Sequence, residues 1–185
     1  MAVTSTLRPF RDYDEHEVIN LFRWSGTIPA YKGTIVEGCG NGWLPSDELQ
    51  LLGDVGASYT DVVSQRYGVA AHVRACTSGS LNPMGMLLHD VKEEDENGEK
   101  LKYNPRKAAE MEVALSGQAV PIITRGTFLY SGATLAADTV SAGSKLYISS
   151  DGSLTTSLTS DEKVVGHALG GVDSTSSGVL IRLEL

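Results

Sequence analysis

A chain of 185 residues, 41% hydrophobic and 21% charged, is long enough for one well-buried core and has the balance of a folded globular protein, which excludes wholesale disorder. Its 23 acidic against 15 basic residues give a formal charge of −8, which argues against broad contact with nucleic acid, because such contact needs Lys and Arg to replace condensed counterions. Twenty glycines beside many Ser and Thr, with only 6% aromatics, suit short strands joined by tight turns better than a helical bundle.

In chain order, residues 1–16 are polar and irregular. Pro9 blocks an early helix and no apolar period emerges, so this stretch reads as an extended N-terminal arm that gains order by lying on something else, with a frayed terminus as the alternative. Val18 to Trp24 and then Gly33 to Val36 have strand composition. Gly38, Gly40 and Gly42 surround Cys39, but Gly42 arrives one residue early for the Gly-x-Gly-x-x-Gly spacing of a phosphate loop. Ser46 followed by Asp47 and Glu48 predicts a short helix that stops at Gly53. Tyr67 to Arg74 and Met84 to Val91 read as two further strands.

The most charged segment, Lys92 to Lys100, contains Asn97-Gly98, the strongest short hairpin signal, because both residues tolerate the positive φ of a type I′ turn. The expectation is an exposed, solvated hairpin tip. A calcium loop would need alternating Asp or Asn and two flanking helices, and the alternation fails. Asn104-Pro105 followed by good helix formers to Glu110 predicts one or two helical turns, with Asn104 as cap and Pro105 in the first position. Val113 to Leu115 and Val120 to Thr124 resume strand character around Gly117.

The C-terminal third alternates strands (Gly126 to Tyr130, Lys145 to Ile148, Val164 to Leu169, Val179 to Leu185) with turns at Ala142-Gly143, Asp151-Gly152 and Ser176-Ser177-Gly178. In the last strand Val179, Ile181, Leu183 and Leu185 share one face. An internal echo links Lys32 to Val36 with Gly143 to Tyr147, and Tyr67 to Ala70 with Val165 to Ala168. The fold expected is therefore mainly β, a compact β-barrel or β-sandwich with one or two short helices and an arm. It divides into the arm at 1–16 and a β-rich body at 17–185, the latter readable as two related units at about 17–120 and 121–185.

Chemistry is sparse. His16, His72, His89 and His167 show no helical i, i+4 pair, and neither Cys39 nor Cys76 sits in a Cys-x-x-Cys, so no metal site is expected. The two cysteines read as free thiols in a reducing compartment. Ser116-Gly117 lacks the first glycine of a nucleophile elbow, and the carboxylates gather where water would leave them weakly perturbed. Trp24 and Trp43 read as core or interface anchors rather than a sugar platform. The expectation is a protein that is not an enzyme and carries no cofactor. No window reaches the roughly 18 apolar residues of a membrane span, and Met1 to Phe10 lack the order of a signal peptide, which points to the cytoplasm.

The segments Val140 to Tyr147, Asp151-Gly152, Val165 to Leu169 and Gly178 to Leu185, in that order, resemble the small decoration or cement proteins of tailed phages. Those proteins show a glycine-led turn and strand, an Asp-Gly hairpin, a "vGkAl" strand and an alternating terminal strand. Gly85 to Val91 and Ser116 to Pro121 are similar to longer phage head proteins of this type. The resemblance implies a virion structural protein on the outer capsid surface, commonly a homotrimer, whose partners are the major capsid protein and itself, with no nucleic acid and no membrane. It implies the host cytoplasm during assembly. An adhesion module or head-fibre base binding a host glycan is the alternative. Under the capsid reading, Arg8, Phe10, Arg11 and Tyr13 are the contact candidates, because cations and rings are the anchor types enriched at interfaces.

Overall fold

A computed structural model of the chain describes residues 5–9, 14–39, 71–115, 117–158, 163–175 and 177–185. It is mainly β with two short helices, as the turn-rich composition predicts. The chain begins with β1 (Ser5–Pro9), β2 (Val18–Trp24), β3 (Ile35–Gly38), β4 (Ala71–Ala75) and β5 (Pro83–Leu87). An excursion follows through β6 (Asp90–Val91), α1 (Pro105–Glu110) and β7 (Val113–Ala114), before β8 (Ala119–Ile123). The rest comprises β9 (Arg125–Gly132), α2 (Ala133–Ala137), β10 (Lys145–Ile148), β11 (Leu154–Thr155), β12 (Gly166–Ala168) and β13 (Val179–Glu184). Strands β2-β4-β3-β5-β8 close into a barrel, and β1-β9-β13-β12-β10-β11 form a six-stranded sheet.

Several elements fall where local chemistry puts them. Helix α1 starts with Pro105, and the Asn104 carboxamide oxygen accepts the Lys107 N–H at 3.2 Å. In β13 Val179, Ile181 and Leu183 are buried while Arg182 and Glu184 are exposed. Other elements differ. Met84 to Val91 is not one strand: β5 ends at Leu87, and Asp90–Val91 leaves to pair in parallel with β7. The helix expected after Ser46, and residues 67–70 of the strand expected from Tyr67, lie outside the described residues.

The described part of the arm is extended and lies on the body of the protein. Ser5–Pro9 pairs antiparallel with β9 along its length, from Ser5 opposite Gly132 to Pro9 opposite Phe128. Leu7 stands opposite Tyr130 and is only 4% exposed, so this segment belongs to the core sheet. A single apolar residue among polar ones carries no period, which is why the sequence hides the strand.

The chain traces the same path twice. In chain order the first unit is β2, β3, β4, β5, β8 and the second is β9, β10, β11, β12, β13. In each, the first strand pairs with the fifth, the fifth with the fourth, the fourth with the second and the second with the third, all antiparallel. The registers coincide: Ile35 opposite Met86 and Val36 opposite Gly85 match Lys145 opposite His167 and Leu146 opposite Gly166.

The turn before the second strand repeats too. Thr34 N–H bonds to Tyr31 O and Ser144 N–H to Ser141 O. Gly33 (φ 92°) and Gly143 (φ 87°) fill the one position of a type II turn that demands positive φ. Gly33 N–H then reaches Leu87 O and Gly143 N–H reaches Ala168 O, both at 2.8 Å. The echo of Lys32 to Val36 in Gly143 to Tyr147 thus has a structural counterpart. The other half of the echo does not: the partner of Val165 to Ala168 is Met84 to Leu87, not Tyr67 to Ala70, which lies outside the described residues.

The units stack front to back. Val36, Leu87 and Ile122 fill the barrel interior with Trp24, Val73 and Val120. Their neighbours Ile35, Met86 and Ile123 point out of the barrel and are fully buried against Phe128, Tyr130, Leu146 and Ile181 of the six-stranded sheet. Strands β3, β5 and β8 are therefore apolar on both faces. The Asp151-Gly152 turn adds a polar tie, since Gly152 O accepts the Ile35 N–H at 2.8 Å.

Candidate functional site

Strand pleating fixes what the second unit shows on its far side. Where the inner face of the six-stranded sheet meets the barrel, its outer face presents Lys145, His167 and Arg182 as direct cross-strand neighbours. By register these three occupy the positions of Ile35, Met86 and Ile123 in the first unit. A parallel row runs beside them through Arg8, Leu129 and Leu180 to Leu169, whose N–H bonds to Leu180 O at 2.7 Å. Leu169 corresponds to Leu88, whose N–H bonds to Pro121 O. Leu88 is 9% exposed between the units, whereas Leu169 is 44% exposed.

Arg125 completes the face opposite Glu184. Among the described residues of its paired strands the surface therefore carries Arg8, Arg125, Lys145 and Arg182 against one carboxylate, Glu184, in a chain whose net charge is −8. Glu184 is shared, lying 2.6 Å from Arg182 and 4.0 Å from Arg125. Arg8 and Lys145 have no acidic partner among the described residues. An apolar row with cations along one side has the chemistry to bind a partner: leucines supply desolvation and the cations select sign.

Of the four contact candidates read from the sequence, the structure places Arg8 on this face, exposed and opposite Leu129. Phe10, Arg11 and Tyr13 lie outside the described residues. Sequence reasoning missed Lys145, His167, Arg182 and Arg125. Their common face follows from alternation within each strand, but their adjacency needs the register between strands that are far apart in the chain.

The charged loop is an exposed hairpin tip as expected, with Glu94 bridging Lys100 antiparallel and residues 96–100 exposed, but its turn type and one of its acids differ from the expectation. The turn is closed by Gly98 N–H to Asp95 O at 3.2 Å, and only Gly98 (φ 81°), not Asn97, takes positive φ, so it is not type I′. Asp95 turns inward, its side chain having no exposed surface. It accepts the N–H groups of Asn97 and Glu99, both at 2.8 Å, and pairs with the Lys107 ammonium of α1. That ammonium, helped by the two backbone N–H groups, holds the Asp95 carboxyl down to about 2 against the residual cost of burial. Asp95 thus clamps the loop onto α1.

A concavity of about 550 Å³ beside the loop is lined by Ile28, Pro29, Lys92, Glu93, Glu94 and Met111. Three of the carboxylates at it already face ammonium groups, Glu94 lying 2.6 Å and Glu93 3.9 Å from Lys100 and Asp95 pairing with Lys107. Among the described residues no group of three His, Cys, Asp or Glu side chains could hold a metal ion. Cys39 and Cys76 are both free thiols. Burial between the two units is the main cause that pushes the Cys76 thiol up to about 12, with Glu37 adding to it. Burial likewise lowers the His89 imidazole, opposed by the nearby Glu112 carboxylate. Trp24 is buried in the barrel and donates its indole N–H to Thr27 O at 3.1 Å; Trp43 lies outside the described residues.

Comparison of the chain with protein-family models, with curated proteins and with solved structures returned no match.

Proposed function

We propose that the chain is a virion structural protein of the decoration class. It binds the outer surface of a tailed-phage capsid and bridges neighbouring major capsid subunits. A ligand that binds only the expanded lattice stabilises it by mass action, and a homotrimer on a local three-fold axis lets three modest contacts reinforce one another.

The observation that supports this reading is where the resembling segments fall. The Ser141–Ser144 turn, β10, the Asp151-Gly152 turn, β12 and β13 are consecutive parts of one sheet, and β10, β12 and β13 contribute Lys145, His167 and Arg182 to its outer face. A sheet backed by strands that are buried on both faces is a rigid platform, and rigidity lowers the ordering cost of docking.

The test is co-sedimentation with shells of the phage that encodes the chain, before and after expansion. Saturable binding to expanded shells, with raised heat tolerance of the particles, is expected. Absence of binding to either shell form would overturn the reading.

A further inference from the structure

We propose that the outer face of the six-stranded sheet docks an acidic protein surface. The inference stands on this face alone and needs no particular lattice.

The repeat supplies the first argument. Ile35, Met86, Leu88 and Ile123 of the first unit are the surface by which it packs onto the second, and they are buried there. Lys145, His167, Leu169 and Arg182 hold the same register positions in the second unit and have no described element over them. Three of the four positions are changed from apolar to cationic or titratable, and one leucine is kept. A face that only needed to be soluble would carry mixed charge and no leucine row. This face keeps Leu129, Leu180 and Leu169 in line, with Arg8 at the end of the row, Lys145 and Arg182 along one side, and the uncharged Thr6 and Ser131 along the other.

Charge complementarity names the occupant. Four cations against Glu184 favour carboxylates, and the cross-strand series Arg182, His167, Lys145 places two of them on either side of His167 on one face. The same cations disfavour continuing the stack with the apolar outer row of another unit. Nucleic acid is the other polyanion, but a net charge of −8 repels a phosphate backbone that extends beyond the face. A local acidic protein patch does not extend so far.

The size of the face sets the affinity class. Arg8 to Lys145 spans five strands, roughly 19 Å at the usual strand spacing, and Arg125 to Ser131 covers about 20 Å along β9. The product is on the order of 400 Å², half of what one partner buries in a standard stable interface. One face alone therefore binds weakly, and strong attachment needs several copies engaged at once.

The test uses the full chain and immobilised probes: a random glutamate–tyrosine copolymer, a glutamate homopolymer and double-stranded DNA. Binding is expected in the order copolymer, homopolymer, DNA. The Lys145→Glu/Arg182→Glu variant should bind the copolymer roughly tenfold more weakly. Glu184→Lys, which adds a cation to the same face, should bind roughly two- to fivefold more tightly while keeping the melting temperature of the parent to within a few degrees. No binding of the parent chain to the copolymer, or equal binding by all three proteins, would overturn the proposal. Tighter binding to DNA than to the copolymer would overturn it in favour of a phosphate partner.

Discussion

Replacing Gly166 by Ala tests the claim that the repeated register brings two backbones together. A Cβ at Gly166 would lie 2.3 Å from the Arg182 carbonyl oxygen and 3.3 Å from the Leu183 Cα. Both obstacles are backbone of β13, which sits between β9 and β12 and cannot swing aside as a side chain can. Forcing one methyl into a packed site costs about 1–3 kcal/mol, and a backbone obstacle places this variant in the upper part, about 2–3 kcal/mol. For a chain of this size that corresponds to a Tm lowered by roughly 4–12 °C. The control is Gly170→Ala, where a Cβ meets nothing within 4 Å, and its stability should stay within about 0.5 kcal/mol of the parent. Gly85 holds the same position in the first unit, its Cβ meeting the Ile123 carbonyl oxygen at 2.7 Å, so Gly85→Ala should fall with Gly166→Ala. Thermal melts by circular dichroism, with urea titrations beside them, read all three. If Gly166→Ala melts with Gly170→Ala, the close approach of β12 and β13 is wrong.

Other consequences separate the faces and the clamps. Leu7→Ala should cost about 2–3 kcal/mol in urea titrations, because Leu7 is buried opposite Tyr130, whereas Arg8→Ala on the outer face should cost under about 0.5 kcal/mol. The Asp95 carboxyl is held below its unfolded value, so the stability it contributes is complete above about pH 4 and is lost as pH falls toward about 2. Asp95→Asn should therefore melt below the parent at neutral pH, with the gap closing over that acid window. Because the Cys76 thiol is pushed up to about 12 and is fully buried, it should resist iodoacetamide at pH near 8 until urea unfolds the chain, which mass spectrometry reads directly; labelling of native Cys76 would contradict its place between the units.

What the sequence discloses and what it hides divide along one line. Features set within a few residues were legible: the Asn104-Pro105 start of α1, the alternation of β13 and the glycine turn before β10. Features set by distant partners were not. Asp95 reads as one more solvated acid until Lys107 closes over it, and Leu7 reads as an isolated leucine until Tyr130 appears opposite. Helix α2 has a single buried side chain, Leu135, and no side-chain cap, so it offers neither period nor boundary. The candidate face was least legible of all. Lys145, His167 and Arg182 lie on three strands, and only their pairing shows that they stand where the first unit has Ile35, Met86 and Ile123.

The most direct test of the proposed capsid role is an image reconstruction of tailed-phage shells incubated with the chain. Density for the protein is expected at a repeated outer position, with the face bearing Arg8, Leu129, Arg182 and Lys145 toward an acidic patch of the shell. Particles carrying no such density, or density with that face turned to solvent, would contradict that role.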